Sequence, residues 1–310
     1  MPLPTDEKVL ETSNGLLSTF KGIFGPHPGF RPAHAKGRLL KGTFTPTAAA
    51  GALSKAQHFT SPSTPALARF SSGTGLPQLP DDNANGNPRG LAVRFELASQ
   101  PRRVHTDIIA HSVPLFPGVT GEDALAFFRS LADGSVGDYV ASHPVARRFV
   151  EAPKPFPESF ATDAYYAIHA YKLVATDGKG TFVRYRWVPI AGVKHITPVE
   201  ATARGGGYLF EGLPGLLEKG PISFKLVAQV AAEGDVTDDS SQLWPEDREL
   251  VELGTLSLDA EVPQDEDAAQ QKTVIFDPIP RVEGVEPSAD PLLDVRAALY
   301  LISGRERRAA

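Results

Sequence analysis

Two periodicities alternate along the chain. Across 89–97 the apolar residues fall on every second position, with Leu91, Val93, Phe95 and Leu97 on one face. That is the spacing of a half-buried strand. Segment 181–188 repeats it, setting Val183, Tyr185 and Trp187 opposite Arg184 and Arg186. Segment 165–175 precedes it across Asp177-Gly178, so the two are expected to pair through a hairpin turn. Further strands are predicted at 36–45, 104–112, 221–231 and 250–259. Val9, Leu10, Leu16, Leu17, Phe20 and Phe24 instead follow helical spacing, and Gly25-Pro-His-Pro-Gly29 ends that run. Other helices are predicted at 121–133, 137–150, 207–219 and 290–303. Long strands joined by turns, with helices grouped between them, indicate an antiparallel α+β fold rather than alternating βαβ units. The Pro-rich stretches at 152–157 and 278–291 are expected to be ordered crossings. With no linker between separate units, residues 1–310 are expected to form a single domain.

Composition narrows the function. The chain has 310 residues, 41% of them hydrophobic, enough for a substantial core. Its net charge of −6, with both signs interspersed, argues against nucleic acid as a partner. No apolar run approaches the roughly 20 residues of a membrane span. The N-terminus has no basic segment leading into an apolar one, so a cytoplasmic location is expected. There is no cysteine, which excludes disulfides, thiolate-ligated haem, cysteine-held iron–sulfur clusters and thiol peroxidases. The one methionine is Met1, which suits a protein exposed to peroxide and equally suits drift in an Ala- and Pro-rich chain.

The most informative chemistry lies near the C-terminal end, in Asp294-Val-Arg-Ala-Ala-Leu-Tyr300. On a helix, Arg296 and Tyr300 share a face one turn apart. A guanidinium beside a phenol favours the phenolate, a hard anionic oxygen ligand for iron. The pair alone also arises by chance in many helices.

Other segments resemble the catalase family. Pro26-His-Pro-Gly-Phe-Arg-Pro-Ala-His-Ala-Lys-Gly37 is similar to the catalase segment on the distal side of the haem, where an Arg precedes the distal His by three residues. Ala68-Arg-Phe-Ser71 and Pro88-Arg-Gly-Leu-Ala-Val-Arg-Phe95 resemble two catalase strands. Trp244-Pro245, Leu253-Gly-Thr-Leu-Ser-Leu258, Phe276-Asp-Pro278 and Gly284-Val-Glu-Pro-Ser-Ala-Asp-Pro291 follow in the family's order. The likeness runs from about residue 26 to residue 307. It lacks the long N-terminal arm and the C-terminal helical domain of full-length catalases, so the chain resembles the short catalase-related haem peroxidases. The resemblance implies an antiparallel β-barrel flanked by helices.

Residue by residue, it implies haem b as cofactor with Tyr300 as the iron ligand. Arg296 would hydrogen-bond the phenolate oxygen. His34 would be the distal acid–base group, taking a proton from one peroxide oxygen and returning it to the departing one. Ser71 would hydrogen-bond His34 and set its tautomer. Arg31, Arg69 and Arg307 match positions that pair with haem propionates, which a guanidinium fork binds well; for Arg307 the competing reading is a frayed basic tail with Arg305 and Arg308. His27, His58, His105, His143, His169 and His195 belong to no motif and are expected to be structural.

The chain departs from the family at three places. Asp107-Ile-Ile-Ala-His-Ser-Val-Pro114 puts His111 where catalases carry the distal Asn of Gly-Asn-Asn-Thr-Pro. Ala33 stands where they carry a bulkier Val. Leu301-Ile-Ser-Gly304 replaces their Pro-Asp-Thr-His. The expected activity is therefore a haem peroxidase that reduces hydrogen peroxide or an organic hydroperoxide with a small organic donor and has weak catalase activity. A fatty-acid hydroperoxide-transforming enzyme and a haem-binding barrel without turnover are the alternatives. A small homo-oligomer, a dimer, is expected.

Overall fold

The computed structural model describes residues 3–310. Eight antiparallel strands close into a barrel. They are β1 (Gly37–Pro46), β2 (Thr64–Ser71), β3 (Gly90–Ala98), β4 (Val104–His111), β5 (Tyr165–Tyr166), β6 (Gly180–Pro189), β7 (Ile222–Val230) and β8 (Leu250–Glu261). Strand order is β7-β8-β1-β2-β3-β4-β5-β6, and pairing of β6 with β7 completes the ring. Alternation in the sequence becomes inside and outside. Leu91, Val93, Phe95, Val183, Trp187 and Phe224 are fully buried within the barrel, with Phe44 and Phe70. Each such side chain contributes about 1.5–3 kcal/mol relative to exposure.

A helical layer covers one side. α1 (Glu7–Phe24) starts at Asp6, whose carboxylate accepts from the Lys8 and Val9 amides, and stops at Gly25 with φ of 83°. α2 (Gly121–Asp133) has a reciprocal Thr120/Asp123 capping box. α3 (Gln264–Thr273) lies over the barrel, and α4 (Leu292–Ala309) closes the chain. Leu16, Leu17, Phe20, Ala124, Leu292, Val295 and Leu299 bury one another where α1, α2 and α4 meet. No helix among the described residues is long and apolar enough to cross a membrane.

Four expectations need correction. Segment 137–150 is two helices, Val136–Ser142 and Pro144–Glu151, because Pro144 cannot continue the first. Segment 207–219 is mostly turn, with helix only over Leu213–Leu217. α4 runs on to Ala309 instead of ending near residue 303, so Arg307 is buried in a helix rather than frayed. Segment 165–175 is not one strand. Tyr165–Tyr166 pairs with Trp187 and Arg186, and Tyr171–Val174 pairs with Gly180–Val183 through the expected turn. Between Tyr166 and Tyr171 the chain advances five residues while the partner strand advances three, from Arg186 to Val183. The surplus bulges out of the sheet and carries His169 with it.

Candidate functional site

The sequence-predicted residues converge on the outer wall of β2, β3 and β4. Ser71, Gly90 and His111 are register partners across the three strands, so all three face the same way, out of the barrel. The centre of that row has no side chain, and the ring of His34 occupies the gap. A Cβ on Gly90 would lie 2.5 Å from Ser71 Oγ and 2.9 Å from His34 Nδ1.

His34 is the only non-glycine residue with positive φ (55°) among the described residues. That left-handed conformation costs about 1–2 kcal/mol. It is held by backbone bonds from His34 N to Gly73 O and from Ala35 N to Thr74 O. Nδ1 sits 3.0 Å from Ser71 Oγ. Burial, reinforced by the Arg69, Arg296 and Arg31 charges, lowers the His34 pKa to about 3. The ring is therefore neutral at ordinary pH and has a lone pair to offer. His111 shares this environment. Burial first, then Arg296 and His34, lowers its pKa to about 3 as well. Its Nδ1 is buried against the Val113 backbone with no hydrogen bond of normal geometry.

α4 carries the other pair, and its Arg296 charge acts on both His34 and His111. Arg296 Nε and Nη2 lie 3.1 and 2.9 Å from the Tyr300 hydroxyl oxygen. Both guanidinium nitrogens donate, so the phenol oxygen accepts from both. The third guanidinium nitrogen, Nη1, is 2.6 Å from His169 Nε2, and His169 Nδ1 is 2.7 Å from Asp290 Oδ2. Arg296 can only donate, so Nε2 accepts and Nδ1–H donates to Asp290. Burial opposes the Arg296 cation, yet Tyr300 and the nearby acidic groups raise its pKa on balance. His169, expected to be structural, links Asp290 to the Arg296–Tyr300 pair. Asp290 lies in the catalase-like segment 284–291, but His169 carried no motif, and nothing in the spacing marked the bulge that delivers it. Tyr300 and Ala33 pack against the same apolar cluster of α1, α2 and α4.

Near Tyr300 three guanidinia gather, Arg31, Arg69 and Arg307. Arg31 Nη2 and Arg307 Nη2 both donate to the Val274 carbonyl, at 3.1 and 3.0 Å. Arg69 donates to Gln271 Oε1 and Ala35 O, passing over Gly37, where any Cβ would collide with it. Among the described residues these arginines meet neutral oxygens rather than carboxylates, and the buried Arg307 Nε has no partner. Burial and mutual repulsion lower the Arg69 pKa to about 9, and burial with the Arg308 charge lowers that of Arg307 to about 10. Asp267 is the carboxylate whose charge reaches Arg31 and Arg69, but it accepts from Leu39 N and Gln271 rather than from a guanidinium. A phenol oxygen held by a guanidinium, a neutral imidazole, and three arginines without a carboxylate hydrogen bond together fit an iron macrocycle bearing carboxylates.

A family model described as catalase matches residues 136–310. The chain is 33% identical over 306 residues to a catalase-related peroxidase of Mycolicibacterium paratuberculosis, covering 96% of this chain and 95% of that one. It is 30% identical to a catalase-related peroxidase of Synechococcus elongatus, covering 96% and 88%. A crystal structure of a fungal catalase superposes with a TM-score of 0.79 at 23% identity, over 90% of this chain and 59% of that one, which supports the fold.

Proposed function

The chain belongs to the catalase family, whose members named above act on peroxide, and from that premise we propose that it is a haem b peroxidase with weak catalase activity. It would reduce hydrogen peroxide or an organic hydroperoxide and draw electrons from a small organic donor. One observation carries the reading: Arg296, which holds the Tyr300 oxygen through two hydrogen bonds, lies near enough to the neutral His34 on Ser71 for its charge to act on that ring.

Tyr300 would hold the iron, and Arg31, Arg69 and Arg307 the propionates. The haem supplies the redox centre at which the O–O bond breaks. The chain's own residues manage protons and position. With Nδ1–H given to Ser71, His34 Nε2 is free to take the proton of the bound peroxide and return it to the departing oxygen. Arg296 holds the Tyr300 oxygen, and Asp290 through His169 holds Arg296. Net, one hydroperoxide and two donor molecules give one alcohol or water, one water and two donor radicals.

His111 supports peroxidase over catalase turnover. Oxygen release requires a second peroxide to be held in place of the donor, and an imidazole stands where the family's carboxamide does that work. The test is a steady-state comparison, at equal enzyme, of oxygen release from hydrogen peroxide with oxidation of ABTS or guaiacol. Dye oxidation should dominate; predominant oxygen release would make the protein a catalase instead.

A further inference from the structure

Outside the candidate site, a cavity of about 210 Å³ opens between the end of α1, the Pro26–Pro32 segment and the last turn of α4. Leu17 and Phe30 contribute apolar wall, and Lys21, Arg31, Glu306 and Arg307 contribute charge. Phe30 is 47% exposed at this cavity, a large aromatic surface left in water. Arg31 and Arg307 are shared with that site, so the cavity lies behind the edge assigned to the cofactor's carboxylates. Arg307 is buried along the cavity, and its Nε is a donor without a partner, suited to an anionic oxygen. At the rim, Lys21 and Glu306 pair at 2.9 Å and cancel. His27 adds a proton acceptor: its Nε2 lies 2.9 Å from the Phe24 carbonyl, which can only accept, so in the neutral ring Nδ1 keeps a lone pair.

We propose that this cavity is the reductant site and that it takes a small phenol bearing a carboxylate, ring against Phe30 and Leu17. This rests on the peroxidase reading. Each phenol would lose one electron to the peroxide-oxidised enzyme and one proton, accepted by His27 Nδ1. Two phenols per peroxide balance the two electrons needed to break the O–O bond, with phenoxyl radicals leaving.

The test uses holoenzyme and three proteins: wild type, Lys21→Glu and Glu306→Gln. Both substitutions lie at the exposed rim, away from the proposed iron, proton and propionate residues. Benzoate, which binds without being oxidised, is titrated by calorimetry. Reversing one charge beside the site should weaken benzoate about five- to tenfold, and removing the acid should tighten it about two- to fivefold. KM for 4-hydroxybenzoate should move in the same directions, while KM for neutral phenol stays within about twofold. Failure of wild type to bind benzoate, or equal binding by all three proteins, would overturn the site. If benzoate follows the charges but no phenol is oxidised, the site stands and the peroxidase reading falls.

Discussion

Arg296 Nη1 lies 2.6 Å from His169 Nε2. Arginine donates with every nitrogen, so this contact fixes His169 as an acceptor at Nε2 and a donor to Asp290 at Nδ1. The chain of contacts Asp290–His169–Arg296–Tyr300 holds the phenol oxygen from a distance. His169→Ala should leave the barrel folded but free the Arg296 fork, weakening haem binding by about 10–100-fold and shifting the Soret band. Haem titration of the purified variant checks this; wild-type affinity and spectrum together would remove His169 from the site.

Tyr300→Phe takes away the oxygen that both Arg296 donors share. The variant should lose or strongly perturb the Soret band of the haem-loaded protein. An unchanged spectrum would sink the assignment of Tyr300 as ligand.

His34→Ala removes a proton acceptor without touching α4. Haem should still bind, while peroxide-driven dye oxidation should drop about 10²–10⁴-fold, the usual worth of a positioned acid–base group. Gly90→Ala reaches the same residue by crowding. Its methyl would lie within 2.9 Å of His34 Nδ1 and 2.5 Å of Ser71 Oγ, so the pair must separate. We expect an intact Soret band and a loss of about 10–100-fold in dye oxidation; wild-type rates would mean the His34–Ser71 contact is dispensable.

Stability should fall on the acid side. Burial lowers the His58 pKa from 6.5 to about 3, and His34 and His111 are lowered to about 3 with help from neighbouring cations. Between pH 6.5 and 3 the unfolded chain binds protons that the native protein refuses, so stability is full above about pH 6.5 and erodes below it. His58 stacks on Phe95 with ring centroids 4.7 Å apart, remote from any proposed proton transfer. His58→Phe should therefore flatten the slope of melting temperature against pH between 7 and 5 while leaving peroxidase activity near wild type. Parallel slopes for the two proteins would contradict the burial argument.

Much of the fold can be read from local pattern. The alternation of Leu91, Val93 and Phe95, and of Val183, Tyr185 and Trp187, marks barrel-facing positions, because side chains on a strand change face at every residue. The i, i+4 spacing of Arg296 and Tyr300 translates directly into two hydrogen bonds on α4. His34, Ser71, Arg31 and Arg69 lie in segments that resemble the catalase family, and that resemblance implies one site for them.

What the sequence could not disclose depends on contacts between distant segments. His169 meets Arg296 only because residues 167–170 bulge from the sheet, a matter of register between two strands that leaves no periodic trace. Gly90 matters because β2, β3 and β4 align it between Ser71 and His111, and no spacing along the chain reports a cross-strand row. Arg307 matched a propionate-pairing position with a frayed tail as the competing reading, and only the packing of α4 buries it beside Arg31 and Arg69. Periodicity is local and survives in one dimension. The meeting of charges and rings across 100 or more residues is set by how strands register and helices pack, and only the tertiary structure decides it.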